Sequence, residues 1–235
     1  MAPASNLTTA LFVLLVLVMA ALVAVVLRRA FPDRSWLAIG IFAGIWLMIP
    51  AALAASGRID RYDPMPAPAL MMLGVITLLT IGIAFSVKGA HIVHAVPLAA
   101  LVGMQAFRIP VEWLLHRLYL EGVAPVQMTW SGRNLDVVSG VTALLLGLWL
   151  ARGRAVPGWV VLAWNLLALG LLINIIAIAM MSTPIAFRQF TEGPANILPS
   201  VFPFVWLPTF LVQLALFGHL LVFRKLARAA AVSDA

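Results

Sequence analysis

Residues 8–29 read TTALFVLLVLVMAALVAVVLRR. The twenty from Thr8 to Leu27 carry no charge, no glycine and no proline, and Arg28 and Arg29 close the run. A bilayer core about 30 Å thick is crossed by roughly 20 apolar helical residues. This stretch therefore reads as a membrane-spanning helix. A secretory signal is the competing reading. No Lys or Arg precedes the apolar run, however, and the run is longer than a signal core. The sequence predicts a retained helix with its N-terminus outside.

Six further stretches share this character: Trp36 to Ala55, Ala69 to Val87, His91 or Val96 to about Leu120, Leu135 to Ala151, Trp159 to Met181, and Phe202 to Phe223. Composition agrees. The chain is 64% hydrophobic and 10% charged, whereas a soluble domain carries about 25% charged residues. Lipid can solvate the apolar exterior that water cannot. The expectation is an all-α polytopic bundle of about seven transmembrane helices. It forms a single membrane domain over residues 1–235, because no polar stretch is long enough to fold separately.

The formal charge is +7. In a soluble domain this would suggest nucleic acid. Here the basic residues cluster at helix ends, and there is no basic–aromatic groove, so no nucleic-acid partner is expected. With the N-terminus outside, nine basic residues fall on the inner side: Arg28, Arg29, Arg34, Lys88, Arg152, Arg154, Arg224, Lys225 and Arg228. Five fall outside (Arg58, Arg61, Arg117, Arg133 and Arg188), and Arg108 is left within the membrane. The positive-inside rule then gives N-out and C-in, in the cytoplasmic (inner) membrane of a bacterium. Trp36, Trp130, Trp149, Trp159 and Trp206 lie near span ends, where an amphipathic indole anchors. Ala229 to Ala235 read as a short disordered tail. With no cysteine, disulfides, thiolate metal sites and a cysteine nucleophile are excluded.

Chemistry concentrates in residues 105–136, QAFRIPVEWLLHRLYLEGVAPVQMTWSGRNLD. Gln105, Arg108, Glu112 and His116 project within about 80° of one another on an ideal helix, at roughly 100° per residue. Tyr119 shares the sector, and Pro110 makes the alignment approximate. Charges facing lipid are expensive, so Arg108 and Glu112 should face protein or water. Being four apart, they can pair within one helix. A structural ion pair and a ligand or catalytic site both account for the stripe. In the next loop Asn134 suits an N-cap, and Asp136 suits the positive end of the following helix. Arg133 could close over the stripe, and Arg188 could do likewise, making an outward-facing pocket that attracts anions.

His91 and His94 share a face, and His219 lies at similar depth to His94. Paired imidazoles could hold haem or a metal, although no metal-binding motif surrounds them. Asn165 and Asn174 point to opposite faces of the sixth span, and Trp206, Thr209 and Gln213 share one face of the seventh. Such groups commonly join helices through hydrogen bonds worth about 0.6 kcal/mol each. Gln213 could also line a central cavity.

Seven spans invite comparison with rhodopsins, but the last span has no lysine for a Schiff base before Lys225. HIVH (91–94) and the lone His219 do not match the ceramidase-like hydrolases. The segments FRIPVEWLLHRLYLEGVAP (107–125), MTWSGRNLD (128–136) and FPFVWLP (202–208) resemble an uncharacterised bacterial family of seven-helix integral membrane proteins. No function comes with that resemblance. The leading functional expectation is binding or transport of a small polar or anionic molecule by Gln105, Arg108, Glu112, His116 and Arg133. The alternatives are an intramembrane enzyme acting on a lipid or isoprenoid, with Glu112 and His116 as acid and base, a haem or metal protein using His91, His94 or His219, and a structural subunit packed against a partner.

Overall fold

The computed structural model describes residues 3–63 and 65–233, and all regular structure among them is helical. The helices are α1 (Asn6–Ala30), α2 (Trp36–Ala55), α3 (Pro68–Phe85), α4 (Val87–Ala95), α5 (Leu98–Gly103), α6 (Arg108–Leu120), α7 (Asp136–Ala151), α8 (Gly158–Ser182) and α9 (Val212–Ser233). Local chemistry sets their starts. Ser5, Ser35 and Ser86 cap α1, α2 and α4 by accepting from Thr8, Ala38 and Gly89 N–H groups, donors that a helix N-terminus otherwise leaves unpaired. Pro68 opens α3, where its missing N–H costs nothing.

Six segments are long and apolar enough to cross a membrane: Asn6–Ala30, Trp36–Ala55, Pro68–Phe85, Leu98–Leu120, Gly158–Ser182 and Leu207–Ala231. The chain is a polytopic membrane protein. At 16 residues, α7 is shorter than these. The apolar stretches read from the sequence match the helices closely, with two exceptions. The fourth is interrupted. The chain breaks at Val96 and Pro97, restarts as α5, and tightens into a 3-10 turn at Met104–Phe107 before α6. Pro97 cannot continue α4. The seventh begins later than expected. Residues 201–205 form a bend and turns, Leu207–Leu211 form a π-turn containing Pro208, and regular α-helix starts at Val212. That helix runs to Ser233, so Ala229–Ser233 are helical rather than a disordered tail. The last two residues lie outside the described part.

Contacts define two ends of the bundle. At one, the Ser5 N–H and hydroxyl donate to Glu121 (2.8 and 2.7 Å), and the Tyr62 hydroxyl donates to Ser200 Oγ at 2.9 Å. At the other, Lys225 Nζ donates to the Val93 and Val96 carbonyls (2.7 and 2.6 Å), and Arg224 donates to those of Ala84 and Ser86. These cations satisfy carbonyls that the ends of α3 and α4 leave open. This second end also carries Arg28, Arg29, Arg34 and Lys88, and is here called the basic end.

Burial separates a centre from a periphery. Half of the most apolar window of 207–231 is buried, against 17% for each of α1, α2 and α3. Segments 98–120, α8 and α9 therefore form the centre, with α1–α3 outside them. The short helix α7 runs antiparallel to α5 and α6 at very close range. A Cβ on Gly147 would lie 2.5 Å from Gly103 Cα, and one on Gly140 would lie 2.9 Å from Ile109 N. Small residues at 140, 143 and 147 permit this approach.

The same contact sinks α7. Its start is level with Glu112, eight residues before the end of α6, or roughly 12 Å below it at 1.5 Å per residue. Residues 121–135 dip into that gap, burying Val123, Ala124, Gln127, Met128, Thr129 and Asn134. Gln127 Nε2 donates to Ser182 Oγ at 3.2 Å. Irregular backbone at such depth is tolerated when protein surrounds it.

Candidate functional site

The polar stripe expected on the fourth span exists. Gln105, Arg108 and Glu112 are 0%, 2% and 1% exposed, and His116 is half-buried. Its pairing differs from expectation. Arg108 bonds to Asp136 rather than to Glu112. Its Nε donates to Oδ2 at 2.6 Å, and Nη2 donates to Oδ1 in a bidentate pair. Two bonds in the plane of the guanidinium make this geometry stronger than the single contact an i, i+4 carboxylate offers. The close approach of α7 at Gly140 brings Asp136 within reach.

Arg108 Nη1 donates to the Ala168 carbonyl (3.2 Å) and to His219 Nε2 (3.1 Å). Because a guanidinium only donates, Nε2 must accept. His219 is thereby the neutral Nδ1–H tautomer, and Nδ1 donates to Asn165 Oδ1 at 2.8 Å. Asn165 Nδ2 returns a bond to the His219 carbonyl at 3.1 Å. The network Asp136–Arg108–His219–Asn165 thus ties α6 to α7, α8 and α9, with every member buried.

Glu112 stands beside this network. Its Oε2 accepts from Asn134 Nδ2 at 2.6 Å, and no hydrogen bond reaches Oε1 among the described residues. Asn134 also donates to the Met128 carbonyl and accepts from Asp136 N–H, at 3.0 Å each. It serves the start of α7 as expected, although the formal cap position is Leu135. Asn134 therefore ties the Glu112 carboxylate to the backbone at the start of α7. Gln105 Nε2 donates to the Ala215 carbonyl at 2.9 Å, packed against Gly218.

Glu112, Arg108 and Asp136 lie on the wall of a cavity of about 180 Å³ enclosed by α3, α6, α8, α9 and the segments before α9. Its lining is mainly apolar, including Leu73, Val111, Leu172, Ile176, Leu211 and Leu216. Gln213 also lines it. Gln213 Nε2 donates to Thr77 Oγ1 (3.1 Å) and to the Pro208 carbonyl (3.0 Å), while its buried Oε1 takes no bond. The π-turn explains part of this arrangement. It opens the carbonyls of Pro208 and Thr209, and Gln213 and the Trp46 indole (3.1 Å) bond to them.

No family model, curated protein or solved structure matches this chain.

Other expected site residues stand elsewhere. Arg133 is exposed, with its guanidinium 5.2 Å from the Phe190 ring centroid. Arg188 donates to the Phe190 and Gly193 carbonyls (2.7 and 3.2 Å), holding its own loop. Neither covers the stripe. His116 stacks on Trp130 at 4.4 Å, and its Nδ1 takes no partner. His91 and His94 are exposed on α4, whereas His219 is buried with both ring nitrogens occupied. No three His, Asp or Glu side chains among the described residues are grouped to hold a metal. Trp206 is a buried tie rather than an interfacial anchor, donating to the Leu47 carbonyl at 2.8 Å.

Outside the spans, two groups have shifted acidity. Tyr62 is raised, chiefly by burial, with Asp60 adding to the rise and the Ser200 bond opposing it. Burial raises Glu121 too, but bonds from Thr8 and Ser5 and the charge of Arg117 outweigh it and bring the carboxyl below its usual range.

The linear pattern gives Asn134 and Asp136 duties at a helix start, His219 a metal or haem role and Asn165 a helix-joining bond, and it does not place these four beside Arg108 and Glu112. One signal was present. Glu112 and Asp136 are the acidic residues inside the apolar stretches, and Arg108 is the cation deep within one, Arg117 lying near the end of the same stretch.

Proposed function

We propose that the protein binds, and carries across the membrane, a small and largely apolar molecule bearing one hydrogen-bond-donating or cationic group. The observation that carries this reading is the division of labour at the cavity wall. Arg108 is committed to Asp136, Ala168 and His219, while Glu112 Oε1 and Gln213 Oε1 are acceptors without donors. Buried acceptors that lack donors are costly, and a ligand amine or hydroxyl would satisfy them. This keeps small-molecule binding as the function and reverses the charge preference that an available arginine would impose. The charge count agrees. Two carboxylates share one guanidinium, so a proton or a cationic ligand group on Glu112 would balance the set. The ligand would enter from lipid between α3 and α8, where half-buried Leu70 and Ile176 and exposed Met180 form the rim.

The membrane frame of this proposal has α7 as a shortened seventh crossing. The N-terminus faces outward and the basic end faces the cytoplasm of a bacterial cell, on the strength of the nine-to-five distribution of basic residues.

The test uses 2-phenylethylamine, ethylbenzene and 3-phenylpropionate with the purified protein. The amine should bind best, and Glu112→Gln should abolish that preference. Sealed vesicles carrying the protein should take up the amine. Preferential binding of the carboxylate would overturn the reading.

A second reading, an enzyme acting on a lipid or isoprenoid, draws on His116. Its unpartnered Nδ1 lies one turn from Glu112, a spacing that suits an acid–base pair. Turnover of lipid in detergent, lost in both Glu112→Gln and His116→Phe, would select it.

A further inference from the structure

A second and larger cavity, about 500 Å³, lies between α1, α2, α3, α4 and α9. Its volume falls within the range of roughly 300–1,000 Å³ typical of ligand sites. The walls are aliphatic and aromatic: Leu27, Phe31, Phe42, Trp46, Ile83 and Phe217. From the level of Trp36 at the basic end to that of Trp46 it reaches roughly 15 Å into the bundle, at 1.5 Å per residue along α2.

Arg34 and Lys88 stand at its mouth. Both are exposed, and among the described residues neither side chain makes a hydrogen bond or an ion pair. Asp33, beside Arg34, pairs with neither. Among the described residues Arg29 and Arg152 at this end likewise make no side-chain bond, but neither lines the crevice, and four further cations there are engaged. Arg28 donates to the Pro32 carbonyl, Arg154 lies over Trp149, and Arg224 and Lys225 hold helix-end carbonyls. Two unengaged cations above a deep apolar slot complement a molecule with an anionic head and a hydrocarbon tail.

We propose that this crevice is a specific site for an anionic phospholipid, with its phosphate between Arg34 and Lys88 and one acyl chain along Leu27, Phe42 and Trp46. The crevice shares Gln213 with the cavity at Glu112, but Arg34, Lys88 and the chain slot belong to the crevice alone, so the proposal stands whether or not that reading holds. Cations near a membrane surface attract anionic headgroups. The crevice adds a chain-binding slot that surface charge alone does not provide.

The experiment is native mass spectrometry of the full chain, released from nanodiscs of equimolar phosphatidylglycerol and phosphatidylcholine. The wild-type protein should retain one phosphatidylglycerol. Arg34→Gln with Lys88→Gln should cut the preference for phosphatidylglycerol about thirtyfold, from the loss of two surface cations. Ala43→Phe keeps both cations but fills the slot, and should lose the retained lipid as well. Arg152→Gln with Arg154→Gln, at the same end but outside the crevice, should leave retention unchanged. Equal loss in this control, or full retention in Ala43→Phe, would assign the lipid to general surface charge and overturn the proposal. So would a lipid-free dimer, which would give the crevice to a second copy of the chain. Circular dichroism reads folding for each variant, and the two crevice variants, being chemically unlike, do not depend on one another.

Discussion

The centre of this bundle and its periphery are built by opposite rules. The outer helices α1, α2 and α3 are almost uniformly apolar, and their large side chains, such as Leu37, Leu78 and Phe85, are 73%, 71% and 60% exposed. The centre, from α5 to α9, holds glycine, arginine, aspartate, glutamate, asparagine and histidine. In water the apolar helices would be innermost. In lipid, hydrocarbon solvates them as well as protein does, and groups needing hydrogen-bond partners move inward. A few polar ties then attach the periphery: the reciprocal indoles of Trp46 and Trp206, Thr77 with Gln213, and Ser5 and Thr8 with Glu121.

Charges at the centre should be the least dispensable feature of the bundle. Asp136→Leu leaves Arg108 unpaired in an apolar setting and should cost about 3–5 kcal/mol, read as thermal unfolding in detergent. The double change Arg108→Leu with Asp136→Leu removes both charges and should recover most of that loss. A double variant as unstable as the single one would show that the network holds the centre by more than charge balance.

Close backbone approach should be the next most sensitive feature. Gly147→Ala places a methyl against Gly103 backbone atoms, which cannot rotate away, and should cost about 1–3 kcal/mol. Gly44→Ala, with nothing near its Cβ on peripheral α2, should be neutral or slightly stabilising, through helix propensity. Equal effects at both positions would erase the distinction.

Peripheral ties should cost less. Trp46→Phe removes one indole bond and should lose about 1 kcal/mol. The smallest effect belongs to Glu121. Its folded-state acidity lies below the unfolded value, so the carboxylate stabilises the fold above the unfolded pKa, and that contribution fades as pH falls through the folded pKa. Acid titration of unfolding should show this step in the wild type and lose it in Glu121→Gln, with a difference below about 1 kcal/mol, because the pair is partly exposed.

Much of this organisation was legible in the sequence, because a run of twenty apolar residues reports its solvent directly. The bounds of α2, α7 and α8 follow from it nearly to the residue. Proline interruptions were harder to place. Pro97 and Pro208 lie in apolar runs that look continuous, and whether a neighbour accommodates them is a tertiary matter. The stripe of Gln105, Arg108 and Glu112 was visible from spacing. Its pairing was not, because i, i+4 proximity offered Glu112 as a sufficient partner and the helix dipole offered Asp136 a sufficient role. The partner that Arg108 takes comes from 28 residues away, delivered by glycines whose significance depends on what they touch.

The π-turn at Leu207–Leu211 works as a phase shift. A π-turn holds one residue more than an α-turn can absorb, so the chain after it is rotated by about 100° relative to an uninterrupted helix. Gln213, Gly218 and His219 inherit that offset together. Deleting a single residue within 207–211 would turn all three away from Thr77, Gln105 and Arg108 in one movement, which makes the angular origin of α9 a property of five residues that touch neither His219 nor Arg108 in the polar network.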